Sequence, residues 1–303
     1  MTALSERPGD LHGVLCPLAT PFTPDGDAVD EAALRGLVEA LVVAGVHGLI
    51  PCGSTGEFAA MTGDERRQVV EVVADQVAGR VPVVPQVGAM TTREAIGLAR
   101  HAEQHGAAAV MVAVPYYDPL SIAEVKGYHR AVAAALSTPV MLYNLPSATG
   151  VDLAPEDIAA LAREVPAIRY VKDTTGDLNR AARLVHDFGD VVSTFVGWDT
   201  LLFAGLVEGA AGSVIGAANL VPAQAVAIYE AVRAGQVQQA RELWLRLYPV
   251  LRCLLSGGSY VAAVKGGLEL TGRPVGVPRH PVAPLEAERA AELEGLLKSL
   301  LAA

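Results

Sequence analysis

Short apolar runs alternate along the chain with amphipathic stretches whose apolar positions recur at helical spacing. The runs that read as strands are Gly13–Phe22, Gly48–Cys52, Val81–Gln86, Ala108–Val114, Pro139–Tyr143, Ile168–Lys172, Val191–Val196 and Gly212–Ile215. Between and after them the helical pattern covers 30–44, 63–78, 93–105, 122–136, 155–164, 178–188, 200–208 and 222–234. Thr62 with Glu65, Thr91 with Glu94 and Ser121 with Glu124 have the spacing of capping boxes, and Pro155 and Pro222 fit first-turn positions. Apolar strands that alternate with helices imply a parallel sheet covered on both faces. Eight such units predict an α/β fold, a (β/α)8 TIM barrel, in preference to a doubly wound sheet. No glycine-rich dinucleotide fingerprint follows the first run, which weakens the Rossmann alternative.

After the eighth unit the strand signals stop. Val237–Leu255, Tyr260–Leu270 and Leu285–Leu301 read as helices, with a Gly- and Pro-rich link at 272–284. The expected organisation is a loose leader at 1–12, a barrel at 13–235 and a C-terminal helical appendage at 236–303. Beyond the alternation itself there is no repeat and no low-complexity tract.

Composition narrows the function. The 303 residues can bury a full core, and 51% of them are hydrophobic. Basic residues number 23 against 33 acidic, a net charge of −10 without any basic block, which argues against nucleic acid as a partner. No signal-peptide core opens the chain and no uninterrupted apolar run has transmembrane length, so no membrane association is expected. Cys16, Cys52 and Cys253 are scattered without CxxC spacing and read as reduced core residues of a cytoplasmic protein.

Barrels of this kind carry their chemistry on loops leaving the C-terminal ends of the strands. Lys172 closes the sixth run and is followed by the turn residues Asp173-Thr174-Thr175-Gly176. Burial disfavours an ammonium and frees an amine as a nucleophile, which an imine-forming enzyme requires. The commoner alternative is a strand-end lysine paired with a carboxylate such as Asp173. The loop Gly53-Ser54-Thr55-Gly56-Glu57 can hold an anion on its amides, or can be an ordinary tight turn; no Gly-Lys-Ser/Thr follows, so it is no phosphate P-loop. Tyr116 and Tyr117 follow the fourth run, Tyr143 ends the fifth, and Gly197-Trp198-Asp199-Thr200 follows the seventh. On its own, Asp199 reads first as a cap for the next helix. His101 and His105 lie four apart without HExxH, and are expected at a helix C-terminus, where a protonated imidazole is favoured. No catalytic metal is expected.

The loop Gly53–Glu57, the pair Tyr116-Tyr117, the run from Tyr143 to Gly150 and the run from Val171 to Leu178 occur in this order. Together with Thr20-Pro21-Phe22 and Gly212–Pro222, the set closely resembles the dihydrodipicolinate synthase / N-acetylneuraminate lyase family over nearly the whole chain from Gly13 onward. The resemblance implies a cofactor-free class I aldolase or lyase that acts on pyruvate or another 2-oxo acid and condenses it with, or releases, an aldehyde. By motif, Lys172 is the imine-forming lysine and Tyr143 the proton donor and acceptor. Ser54 and Tyr117 match the relay to solvent, with Tyr117 often lent by a neighbouring subunit of a homotetramer built from tight dimers. Thr55 with the loop amides matches the holder of the pyruvate carboxylate, and the main chain at Val214 lines the same site.

The match has one clear departure. Dihydrodipicolinate synthases carry arginine where this chain has Ala148, and alanine cannot replace a forked guanidinium. Arg169, which should alternate away along its strand, and Arg180, on an outer helix, are not expected to substitute. Thr174, Gly197 and Asp199 match positions that sugar-acid lyases use around a polyhydroxy substrate, although Thr200 stands where those lyases often have glutamate and Gly216 where they have serine. The resemblance therefore implies a carbon–carbon lyase. The alternatives are a 4-hydroxy-tetrahydrodipicolinate synthase, a dehydratase of 3-deoxy-2-oxo sugar acids using the same lysine, or a homologue without turnover.

Overall fold

Residues 10–302 are described by a computed structural model. Seven strands, β1 (Gly13–Pro17), β2 (Gly48–Ile50), β3 (Val110–Ala113), β4 (Val140–Asn144), β5 (Ile168–Asp173), β6 (Ser193–Val196) and β7 (Gly212–Val214), pair in parallel in the order β2-β1-β7-β6-β5-β4-β3. The segment 83–86 joins the two ends of this order, bridging Leu49 to Val83 and Gln86 to Met111, both in parallel. The result is a closed ring of eight parallel segments wrapped by helices, the (β/α)8 barrel that the alternation predicts.

The expected third strand is present only as those bridges. Pro82 and Pro85 carry no N–H, so the segment donates at intervals, from Val84 to the Leu49 carbonyl at 2.8 Å and from Gln86 to the Pro51 carbonyl at 3.0 Å. The first strand is also shorter than its apolar run and ends at Pro17.

Alternation along the strands sorts the core. Leu15, Ile50, Val84, Met111, Met141, Tyr170, Phe195 and Val214 fill the barrel interior as one cluster. Their neighbours Cys16, Leu49, Val110, Val112, Val140, Leu142 and Val171 face the helices in another. Each strand is thus buried on both faces, which is why the runs are nearly continuously apolar.

The helices form close to their expected positions. Those at Pro155–Glu164, Leu178–Phe188, Val237–Leu255 and Tyr260–Leu270 match residue for residue. Thr62 and Ser121 form complete capping boxes, whereas Thr91 accepts only the Glu94 amide and lacks the return bond. A four-residue helix at Pro146–Thr149, and 3-10 turns at Phe58–Ala60 and Gly216–Asn219, were not expected from the sequence. All lie in loops that leave the C-terminal ends of strands.

Residues 1–9 lie outside the described residues, but Leu11 is buried in the interior cluster and its amide donates to the Tyr170 hydroxyl at 3.3 Å. An apolar side chain there plugs the end of the barrel where the strands begin. Cys16, Cys52 and Cys253 are buried free thiols. Among the described residues no helix is long and apolar enough to cross a membrane.

Candidate active site

The register of β4 and β5 sets Tyr143 beside Lys172 and Asn144 beside Asp173. Period-two alternation sends the first pair toward the barrel axis and the second toward the helices. Lys172 is 4% exposed, and its Nζ lies 4.0 Å from the centroid of the Tyr143 ring. Asp173 is engaged on the other side: its carboxylate accepts from Arg180 Nε at 2.7 Å, Asn144 Nδ2 at 3.1 Å and Thr175 Oγ1 at 2.5 Å. The structural alternative, a Lys172–Asp173 ion pair, therefore does not form, and Lys172 has no ion-pair partner among the described residues.

Gly197 and Thr174 flank the lysine. A Cβ built on Gly197 would lie 2.9 Å from Lys172 Cε and would overlap Thr174 Oγ1. The Gly197 backbone is thus packed directly against the amine-bearing chain. Thr174 Oγ1 is buried without a hydrogen-bond partner among the described residues, so it is a polar group free for a ligand.

The loop after β2 folds back on itself. Gly56 N donates to Gly53 O at 3.0 Å and Glu57 N to Ser54 O at 3.1 Å, with Cys52 and Glu57 both in the left-handed region. The amides of Ser54 and Thr55 find no acceptor among the described residues, which leaves a pair of donors suited to a carboxylate. The loop is fastened from below and behind. Thr20 Oγ1 donates to Gly56 O at 2.7 Å, and any side chain at Gly56 would meet Leu18 O at 2.7 Å. The Glu57 carboxylate lies 2.6 Å from Lys265 Nζ and accepts from the Arg279 amide at 2.8 Å. Burial pushes the Lys265 amine below its usual range, with the Glu57 charge pulling the other way.

Sequence reasoning noted Glu57 only as the end of the loop and missed Lys265 and Arg279. The one available signal was a lone lysine in the apolar helix Tyr260–Leu270.

A cavity of about 220 Å³ opens beside this loop, lined in part by Ser54, Phe58, Tyr116, Leu145, Ala148 and Thr149. Its wall at Ala148 is apolar. The Arg180 guanidinium is held by Asp173 and the Leu153 carbonyl, and Arg169 is paired with Asp10 near the start of β5. Neither arginine lines the cavity. Tyr116 packs edge-on against Phe58, while Tyr117 is 82% exposed and makes no hydrogen bond or ring contact among the described residues. Of the expected site residues, the single chain draws Lys172, Tyr143, Thr174 and Gly197 together. Ser54 lies in the cavity wall, Thr55 in the same buried loop and Val214 in the interior cluster, but Tyr117 is left at the surface.

Asp199 does not cap the following helical turn. Its Oδ1 instead accepts from Ala217 N at 3.0 Å and from the Tyr260 hydroxyl at 2.7 Å. Burial raises its pKa, while these bonds and the Lys172 charge act in the opposite sense. The Tyr260 phenol is pushed well above its ordinary value by burial and by the Asp199 charge. A side chain on Gly216 would run into the Tyr260 hydroxyl, so this tyrosine occupies the space a serine there would need. Tyr260 was not read from the sequence, because its partners lie far away in the chain. No group of metal-ligating side chains converges on Lys172 among the described residues.

The model of the dihydrodipicolinate synthetase family matches residues 10–300. The chain belongs to the dihydrodipicolinate synthetase family. It is 38% identical over 290 residues to the 4-hydroxy-tetrahydrodipicolinate synthase of Methanopyrus kandleri, covering 96% of each protein. Among solved structures, it resembles a prophage protein of this family from E. coli K12 in complex with pyruvate, at 33% identity and a TM-score of 0.91, covering 96% of this chain and 98% of that one. It also resembles the dihydrodipicolinate synthase of Acinetobacter baumannii complexed with pyruvate, at 30% identity and a TM-score of 0.92, covering 96% and 99% respectively. Membership makes the chain a carbon–carbon lyase of the class I, imine-forming type.

Proposed function

We propose that the chain joins Lys172 to pyruvate, or to a related 2-oxo acid, and uses the resulting enamine to form or break a carbon–carbon bond with an aldehyde. The observation that carries this reading is the buried Lys172 amine 4.0 Å from the Tyr143 ring, without a carboxylate partner among the described residues. The neutral amine adds to the ketone, and the carbinolamine loses water to leave an iminium. The iminium accepts the electron pair of the bond that breaks, or releases a proton from the methyl carbon to give the nucleophilic enamine. Tyr143 moves the protons, with Ser54 and Tyr117 as its relay. Thr55 and the free loop amides hold the carboxylate in a fixed geometry. Val214 lines the 2-oxo acid site, and Thr174, Gly197 and Asp199 face the second substrate. The chemistry calls for no metal or organic cofactor.

The Methanopyrus kandleri relative is named a 4-hydroxy-tetrahydrodipicolinate synthase, and the family resemblance pairs that reaction with aspartate semialdehyde as the second substrate. Ala148 in the cavity wall favours a neutral aldehyde or a hydroxylated 2-oxo acid instead, and we adopt that reading. A dehydratase would use the same lysine and is separated by product analysis. The assembly is a homotetramer, a dimer of dimers in which the exposed Tyr117 reaches a neighbour's site. Three buried free thiols fit a reducing compartment such as the cytoplasm.

Borohydride added in the presence of pyruvate should fix a reduced pyruvyl group on Lys172, located by peptide mass spectrometry. Absence of the adduct, or full turnover by Lys172→Ala, would refute the imine.

A further inference from the structure

Two helices bring three ligating side chains together on the outer wall. His101, in the last turn of the helix Thr92–Gln104, and His105, at its C-cap, lie one turn apart with ring centroids separated by 4.3 Å. Glu71, from the neighbouring helix Gly63–Val77, places Oε1 2.8 Å from His101 Nε2. One ligand atom from each of the three lies within 4.8 Å of the other two. The sequence offers only the histidine pair; the fold adds the carboxylate.

We propose that Glu71, His101 and His105 form a binding site for a transition-metal dication of the zinc class. The tautomer of His105 favours it. Its Nδ1 lies 2.9 Å from the His101 carbonyl oxygen, which can only accept, so Nδ1 carries the hydrogen and Nε2 presents its lone pair. A backbone carbonyl on the far nitrogen is the usual device that orients a ligating imidazole. Ligand-to-metal distances of about 2.0–2.2 Å set tetrahedral ligand atoms roughly 3.3–3.6 Å apart, so the His101 nitrogen and the Glu71 oxygen, now 2.8 Å apart, open slightly as the ion displaces the hydrogen they share. Two neutral imidazoles and one carboxylate match zinc, cobalt or nickel; magnesium and calcium prefer all-oxygen shells. Three protein ligands leave a position for water.

The rival role is a plain ion pair between a protonated His101 and Glu71. In that role His105 only closes the helix C-terminus through its bond to the His101 carbonyl, and its replacement would leave metal binding unchanged. The helix Thr92–Gln104 follows the bridged segment 83–86 and runs back along the barrel wall, so its last turn sits at the end where the strands begin. Lys172 is at the opposite end, so the ion acts as a clamp between two helices and takes no part in the imine chemistry.

The test uses the full chain freed of metal by chelator. Cobalt(II), followed by visible absorption, should bind at one equivalent with the intense bands of low coordination number, and zinc should displace it while magnesium should not. His105→Gln and His101→Gln should each weaken cobalt binding at least tenfold, and Glu71→Gln should weaken it less. Zinc should raise the melting temperature of the parent and leave that of His105→Gln unchanged, since a ligand stabilises only the state that binds it. Borohydride trapping of pyruvate at Lys172 should be equal in all four proteins, which separates failure of this site from failure of the imine reading. No saturable cobalt site, or equal affinity in the parent and both histidine variants, overturns the proposal.

Discussion

Lys265 Nζ lies 2.6 Å from the Glu57 carboxylate, and both side chains are almost wholly buried. One belongs to the C-terminal helix Tyr260–Leu270 and the other ends the loop that carries Ser54 and Thr55. The appendage thus fastens the loop proposed to hold the substrate carboxylate. Removing one partner of a buried pair strands the other's charge and costs about 3–5 kcal/mol. Lys265→Met should lose stability on that order in urea unfolding, while Lys265→Met combined with Glu57→Gln should lose less than Lys265→Met alone. Each variant should raise KM for pyruvate as the loop amides lose their fixed geometry. A double variant less stable than either single would contradict the pairing.

Gly197 is pressed against Lys172, the lysine proposed to form the imine. In Gly197→Ala the new methyl would sit 2.9 Å from Lys172 Cε and overlap Thr174 Oγ1. Overpacking of this kind typically costs about 1–3 kcal/mol, and the two side chains must turn aside. Displacing a reacting group by about 1 Å can cost roughly 100-fold in rate. The variant should fold, show a kcat at least tenfold lower and trap pyruvate more slowly. Parental kcat in a folded Gly197→Ala would remove the packing argument.

The exposed Tyr117 frames the expectation about assembly. A tyrosine 82% exposed in a single chain and matched by motif to a proton relay needs a neighbour to become useful. Sedimentation should give a tetramer. Mixing Tyr117→Phe with Lys172→Ala should restore activity by forming mixed dimers in which one site has both groups. A monomer with full activity would exclude the shared site.

Acid sensitivity has a local source in Glu103. Its Oε1 accepts from the amide and hydroxyl of both Ser137 and Thr138, each at 2.8 Å. These bonds pull its pKa from 4.5 down to about 2, with the Ser137 hydroxyl the largest cause. A carboxyl with a depressed folded pKa contributes stability above its unfolded pKa and loses it as pH falls through the folded value. The contribution should therefore be full above pH 4.5 and vanish by about pH 2. Glu103→Gln should flatten that part of the stability–pH curve; an unchanged slope would place the acid sensitivity elsewhere.

What was legible in the sequence follows from range. Alternation placed Tyr143 and Lys172 on strand ends, and register alone then made them neighbours. The helix at Leu178–Phe188 was placed by its own apolar periodicity, and its start is fixed locally where Asp177 accepts from the Asn179 and Arg180 amides. The third strand was overread because a periodic pattern does not register the missing N–H of Pro82 and Pro85. Asp199 was misread as a cap because its partners, Ala217 and Tyr260, lie 18 and 61 residues away. Glu57 with Lys265 is a relation of the same sort: both ends are visible in the chain, and only the fold joins them.

The proposed second substrate rests on Ala148. It lines the cavity beside Ser54 and Tyr116, in the short helix Pro146–Thr149. A small carboxylated aldehyde is oriented best by a forked, charge-assisted arginine contact. Truncating one partner of such a pair in a semi-buried site costs about 2–5 kcal/mol, which is roughly 30- to several-thousand-fold in specificity. Arg180 is committed to Asp173, and Arg169 to Asp10 near the start of β5, so no other arginine among these supplies the fork. The chain should therefore condense pyruvate poorly with aspartate semialdehyde and better with a neutral aldehyde, or should cleave a hydroxylated 2-oxo acid. Ala148→Arg has an open cavity to enter and should raise kcat/KM for the semialdehyde at least tenfold while lowering it for neutral aldehydes. The measurement is a panel of aldehydes with pyruvate, together with candidate sugar acids, followed by mass spectrometry. If the parent protein makes the lysine precursor faster than every other product tested, the inference from Ala148 is wrong, and the carboxylate must be held by groups other than a guanidinium.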